Sequence, residues 1–420
     1  MSADYSVSSG TDTTKSDLTE HQQPVSHHLT MPDSGGATVL DDLPDSIVFE
    51  EILVRLLPKD LLRCRAVRKC WRSATSADKF MLDHRRRQPL LPILSQGFSH
   101  EDQGNARLFV SRDSGAGQQK LCPVLIRSRY SRFHAAIDGL LIVCEGDEYF
   151  ICNPVTRKCT PLPMPQIHED FTDRIAGFFR HQPTGEYRVL WVTSPAFCDP
   201  NDTDFATSYC VIAVGSGNPQ ARIPQPAVSS PSLEVVLRTG LPSSYNDPPV
   251  HHHGSLHWKL GTPSIVVFNT TAEIFRLMSS PAPAQLNTEE LLLEMDDTLA
   301  FCRISGKRDT IDVWAMQDYD AEIWSFKHRI NLSVVDRFDS ARTMFPKMAV
   351  LKEGELLIQF SLRSALRYDI DGKFLGYVKG EEDQKTYLQI TRHYLQESVI
   401  PLPLFHETRE EYEPPFFLGL

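Results

Sequence analysis

Along this 420-residue chain the apolar positions change period once. Between Leu40 and Thr75 they recur every three to four residues, the spacing of one helical face. Val48, Ile52 and Leu56 make the stripe, and Ile47, Leu53 and Leu57 widen it. Pro44 suits the first turn, where a missing N–H is harmless, and Asp45, Glu50 and Glu51 lie toward the positive end of the dipole. Pro58 stops this helix. Asp60 can cap a second, in which Leu61, Cys64, Val67 and Trp71 share one face and Arg63, Arg65, Arg68, Lys69 and Arg72 fill the other. A third short helix is expected from near Ser76, carrying Phe80 and Met81, before Arg85–Arg87, Pro89 and Pro92 mark a boundary. So short a unit carries more apolar surface than it can bury alone, which points to docking.

From about residue 95 the pattern becomes that of strands. Short runs such as Leu140–Cys144, Tyr149–Cys152, Tyr187–Thr193, Tyr209–Val214, Ile265–Phe268, Ile311–Trp314 and Leu356–Phe360 are separated by Gly, Pro, Asn and Asp. A glycine followed by an apolar strand begins at Gly139, Gly254 and Gly354, and a related step begins near Asp296. Several continue into a strand ending in Asn or Asp, a turn and another apolar pair, as in YFICNPVTRKCTPLP, IVVFNTTAEIFRLM and LRYDIDGKFLGYV. Steps of roughly forty to sixty residues suit propeller blades. The fold class expected is therefore α+β multidomain: a three-helix unit over 39–88, then an all-β, propeller-like domain over 89–400. A β-sandwich is the alternative. Residues 1–38 read as a disordered tail and 401–420 as a C-terminal tail.

Composition narrows the setting. No run of about eighteen apolar residues occurs, and the N-terminus lacks an apolar signal core, so neither a membrane helix nor secretion is expected. None of the nine cysteines forms a CxxC pair; the odd count suggests reduced thiols, a cytoplasmic or nuclear location, and chance N-x-S/T sequences at Asn201, Asn269 and Asn331. Net charge is −11, yet Arg55 to Arg87 holds eleven Lys/Arg against three Asp/Glu. A basic helical unit thus joins an acidic remainder.

Leu40–Phe80 resembles an F-box. Leu43-Pro44, the Ile52-Leu53 pair, Leu56, Leu61, Val67 and Lys69-x-Trp71-Arg72 stand at that motif's positions, with Phe80 following. The remainder resembles the F-box-associated region of plant proteins of this kind. Gly139-Leu140-Leu141, Asn153-Pro154-x-Thr156 and Leu162-Pro163 match its opening. Val250–Trp258, Phe268 through Glu273-x-Phe275, and Ile311-Asp312-Val313-Trp314 with Trp324 match later parts. The likeness spans roughly 133 to 335, more loosely to 380. Departures are Arg68 in place of a small residue, Ala74-Thr75 in place of a more apolar pair, and Asn269 in place of Asp.

The resemblance implies a substrate-receptor subunit of an SCF-type cullin ubiquitin ligase. Such proteins dock a Skp-family adaptor, and through it a cullin scaffold, while the C-terminal domain captures the protein to be ubiquitinated. No catalytic residue, metal or cofactor is implied. The adaptor contact is expected at Leu43, Pro44, Ile47, Ile52, Leu53, Leu56 and Leu61. Cys64, Val67 and Trp71 are expected to hold the unit together, with contact at its edge. Target-binding residues are not assigned; Trp191, Tyr245 and Trp258 are only aromatic candidates.

Other chemistry is less well marked. In a strand, His251, His253 and His257 would share a face, but no carboxylate or cysteine completes a zinc set. Cys144, Cys152 and Cys159 read as buried thiols. GAGQQK at 115–120 lacks the ending of a phosphate loop, and Asp296-Asp297 and the acidic run 381–383 read as solvated turns. The basic second helix could imitate a DNA-reading helix-turn-helix, though the first apolar stripe has no use there; a non-ligase protein-interaction scaffold is the other alternative. An enzyme would need a convergent polar cluster in the central channel.

Overall fold

The computed structural model describes residues 43–98, 106–113, 119–127, 131–165, 171–195, 207–215, 224–226, 230–244, 247–260, 263–283, 285, 287–332, 346–352, 354–360, 364–379, 386–403 and 415–417. The tail over 1–38, Asn201, Tyr245, residues 115–118 of the glycine-rich segment and the acidic run 381–383 lie outside them.

The helical unit is wound differently from its expected pattern. Ile47–Ile52 is a π-helical turn, in which the Leu53 N–H reaches back five residues to the Val48 carbonyl, and Leu53–Arg55 tightens to a 3-10 turn. The wider turn carries Leu53, not Ile52, beneath Val48, so Val48, Leu53 and Val54 are buried. The expected second helix is two: α1 (Pro58–Val67), with Pro58 at its start, and α2 (Lys69–Thr75). Arg68 is extended between them and stacks its guanidinium 5.0 Å from the Trp71 ring centroid. That break turns Trp71 inward and leaves Val67 outside, so the face expected to join Leu61, Cys64, Val67 and Trp71 is not continuous. α3 (Asp78–Arg86) buries Met81 and His84.

The β domain is a six-bladed propeller, which excludes the sandwich. The first blade comprises β4 (Ser131–Ile137), β5 (Leu140–Glu145), β6 (Glu148–Asn153) and β7 (Lys158–Pro161). The second has three strands, β8 (Phe171–Arg180), β9 (Tyr187–Pro195) and β10 (Ser208–Ala213). The third has β12 (Val250–His252), β13 (Ser255–Lys259), β14 (Ser264–Asn269) and β15 (Ile274–Ser279), with β11 (Gln225–Pro226) added parallel to β15. α4 (Pro231–Thr239) packs Leu233 and Val236 between the second and third blades. The fourth blade is β16 (Glu289–Met295), β17 (Thr298–Ile304), β18 (Thr310–Asp318) and β19 (Ile323–Asn331). The fifth is β20 (Lys347–Lys352), β21 (Glu355–Gln359), β22 (Ser364–Asp369) and β23 (Phe374–Lys379).

Chain ends close the ring. β24 (Thr386–Gln396) is the inner strand of the sixth blade and pairs antiparallel with β1 (Leu90–Phe98), which leads to β2 (Ala106–Asp113) and β3 (Gln119–Arg127). Closure removes a free inner edge that would otherwise invite pairing with another chain. Beyond β24, Leu402 enters the core between the first two blades, and Phe416 and Phe417 enter that between the sixth and first. The segment expected as a tail therefore contributes buried side chains.

The repeated sequence signals are turns. Asp138-Gly139, His253-Gly254 and Asp296-Asp297 all have positive φ and join the first and second strands of their blades. Asn153, Asn269, Asp318 and Asp369 each accept backbone N–H groups in the turn after the third strand, the side chain replacing absent ladder partners. One reading needs correcting. Cys152 and Cys159 are not separate thiols; the β6–β7 ladder sets them opposite each other, Cα atoms 4.1 Å apart, and they form a disulfide. Spacing along the chain does not reveal that pairing, because it depends on register.

Candidate functional site

The helical unit presents one side to the propeller and one to solvent. Val48, Leu53, Leu61, Trp71 and Met81 form a core continuous with Val155, Val399 and Ile400 of the β domain. Fully burying a side chain of this size contributes about 1.5–3 kcal/mol. Of the residues expected at a partner contact, Leu53 and Leu61 are enclosed by the molecule itself. Leu43, Ile52, Leu56 and Cys64 are partly covered, and Pro44 is exposed. Ile47 is 41% exposed, Leu57 52% and Val67 69%. Leu53 and Leu61 thus pack inside the unit, while Val67 lies on its surface. Leu57, expected only to widen the stripe, is likewise at the surface.

Polar contacts fix the seat. His84 Nε2 donates to the Leu56 carbonyl at 2.8 Å, and Gln88 Nε2 reaches the same oxygen at 3.2 Å. Burial lowers the His84 pKa, keeping the ring neutral. Arg85 Nη1 donates to the Asp138 carboxylate and to Gln396 Oε1, and Gln396 Nε2 returns a bond to the Gln88 carbonyl. Arg85 belongs to the expected boundary run; only tertiary structure brings Asp138 to it. The basic face of the expected second helix is largely engaged locally. Arg63 pairs with Asp60 at 2.7 Å and Arg65 Nε donates to Thr75 Oγ1 at 3.0 Å. With the helix broken at Arg68, the five basic residues are divided between α1, α2 and the residue joining them.

In the propeller, residues 241–244 and 247–249 lie across the central channel. The Ser244 N–H donates to the Ile175 carbonyl in β8, and its own carbonyl accepts from His393 Nε2 in β24 at 2.9 Å. Arg392 reaches Asp247 and, at 3.1 Å, the Leu292 carbonyl in β16. Strands of three non-adjacent blades are tied through this crossing segment. Between it and Arg85 lies a cavity of about 300 Å³.

The histidine run is spoken for by the fold. His253 sits in a turn with φ 48°, off the strand face expected for it. His257 contacts the Val250 carbonyl at 3.1 Å and Tyr319 Oη at 2.8 Å, and burial takes its pKa down to about 3. No cluster with metal-ligand composition occurs among the described residues. Trp191 and Trp258 are core side chains.

Residues 98–365 match the model of the F-box associated beta propeller domain. The chain belongs to that family. An F-box/LRR-repeat protein of Arabidopsis thaliana is 25% identical over 345 residues, covering 78% of this chain and 77% of that protein. An F-box protein of the same plant is 23% identical over 376 residues, covering 85% and 97%. Among solved structures, TolB from Acinetobacter baumannii superposes with a TM-score of 0.38 at 9% identity, covering 72% of this chain and 66% of that one.

Proposed function

We propose that the helical unit is an F-box and that the chain is a non-catalytic substrate-receptor subunit of an SCF-type cullin ubiquitin ligase. The observation that carries this reading is the apolar surface left on a unit already seated on its own propeller. Ile47, Leu57 and Val67 stay exposed, with Pro44 exposed and Leu43, Ile52 and Leu56 partly covered. Scattered single apolar residues need no explanation, but several on one small unit favour a partner. A Skp-family adaptor would cover them and link the chain to a cullin scaffold. The opposite rim of the propeller would hold the target protein, in the cytoplasm or nucleus. Similarity to F-box proteins supports the same reading. Isolation of the tagged full chain under proteasome and neddylation inhibition tests it. The expected result is co-purification of adaptor, cullin and an accumulating client; recovery of the chain without an adaptor contradicts it.

A further inference from the structure

The central cavity goes beyond this reading, because its wall includes none of the residues assigned above to adaptor docking. Its wall includes Arg85 from α3, Ser244 from the crossing segment and Arg392 from β24. Arg85 Nε, Ser244 Oγ and Arg392 Nε are buried and find no hydrogen-bond acceptor among the described residues. All three are donors, and they come from three separate parts of the chain. Buried donors are nearly always paired, so three on one cavity wall mark a place for an acceptor-rich group.

Backbone geometry points the same way. β24 bulges between its pairings with Pro92 and Leu94, and Arg392, at the bulge, has φ 64°. A non-glycine residue in that region is strained, and bulges commonly re-aim side chains next to functional sites. Here the bulge aims Arg392 into the channel. The wall's two carboxylates already have partners: Asp138 accepts from Arg85 and Tyr187, and Glu294 faces His252 at 3.2 Å.

We propose that this cavity is a binding site for a small oxyanion-bearing metabolite, a carboxylate or phosphate ester, held between Arg85, Ser244 and Arg392. Oxyanions accept several hydrogen bonds at once and suit guanidinium donors. Arg85 and Arg392 each already donate to a carboxylate, Asp138 and Asp247, so what the wall still offers is their two Nε–H groups and the Ser244 hydroxyl, which an apolar ligand would leave unpaired. The volume lies at the small end of ligand pockets, roughly 300–1,000 Å³. Such a ligand would bridge the helical unit, the crossing segment and the closing blade.

The test titrates the full chain separately with inorganic phosphate and with succinate, against chloride at equal ionic strength, following the thermal midpoint and calorimetric heat. At least one anion should bind saturably and raise the midpoint, and which one does so distinguishes the two chemistries. Ser244→Ala should weaken that binding about tenfold, the effect of losing one hydrogen bond to a charged group. Its ligand-free midpoint should match or exceed that of the unmodified chain, because the hydroxyl removed has no protein acceptor. Ser244→Gly serves as the second variant if Ser244→Ala folds poorly. The proposal is overturned if neither anion acts beyond chloride, or if both variants bind as tightly as the unmodified chain.

Discussion

Arg85 in α3 donates to Asp138 in the turn between β4 and β5, joining the helical unit to the first blade through a pair whose side chains are 18% and 7% exposed. The same carboxylate accepts from Tyr187 Oη at 2.9 Å, and the Asp138 carbonyl accepts from Ser398 Oγ at 2.6 Å. One residue therefore ties the helical unit, two blades and the segment after β24. Breaking a buried pair from one side strands a charge, which typically costs about 3–5 kcal/mol. Arg85→Ala or Asp138→Ala should destabilise the full chain by about 3 kcal/mol. The double variant should lose less than the sum of the singles, measured by denaturant unfolding.

Glycines with similar φ should differ in tolerance. Gly139 has φ 84°, and a Cβ there would lie 2.4 Å from Ser398 Oγ and 2.8 Å from the Ser398 nitrogen. Gly254 has φ 66° with nothing within 4 Å. Gly254→Ala should cost about 1–2 kcal/mol, the left-handed penalty alone. Gly139→Ala should cost more and increase proteolytic cleavage near Ser398. Equal losses in thermal midpoint would refute the close-approach argument.

Two turn asparagines make a parallel contrast. Buried Asn153 uses both ends of its amide: Oδ1 accepts from the Val155 and Thr156 N–H groups, while Nδ2 donates to the Ser398 and Ile400 carbonyls at 3.2 and 2.8 Å. Asn153→Asp sets a carboxylate against two carbonyls and should cost several kcal/mol, about the desolvation penalty of a buried charged group. At Asn269, among the described residues, only Oδ1 is engaged, by Thr271 and Ala272, so Asn269→Asp should change stability by less than about 0.5 kcal/mol. Thermal unfolding of both variants decides it.

These turns also show how far the sequence could be read. Gly139, Gly254 and Asp296-Asp297 were visible as a repeat because the strand-joining turns demand left-handed residues, and the Asn or Asp turns because their side chains cap locally. Such signals are contained within a few residues. The Arg85–Asp138 pair spans 53 positions and the Gln396–Gln88 bond 308, so neither leaves a local trace. No local signal marks Ser244, and only tertiary contacts place it in the channel. The π turn leaves no such signal for another reason: hydrophobic residues at 47, 48, 49, 52, 53, 54, 56 and 57 satisfy several helical registers, and packing chose Val48 with Leu53.

Acid should unfold the propeller through buried histidines. His257 and His393 are both held neutral by burial, their pKa lowered from 6.5 to about 3. Between those values the unfolded chain binds more protons than the folded one, so stability falls as pH drops from about 6.5 toward 3. Unfolding free energy measured across that range should decline, and His257→Gln should flatten the slope. A slope unchanged by the substitution contradicts the assignment.

The adaptor contact is tested most directly by calorimetric titration of a purified Skp-family adaptor into the full chain and into its Ile47→Asp/Leu57→Asp variant. Both positions are about half exposed, so the variant should stay folded with only a modestly lowered thermal midpoint. The account predicts a saturable complex with the unmodified chain and at least a tenfold loss of affinity in the folded variant. No complex with the unmodified chain, or equal affinity for both, contradicts it.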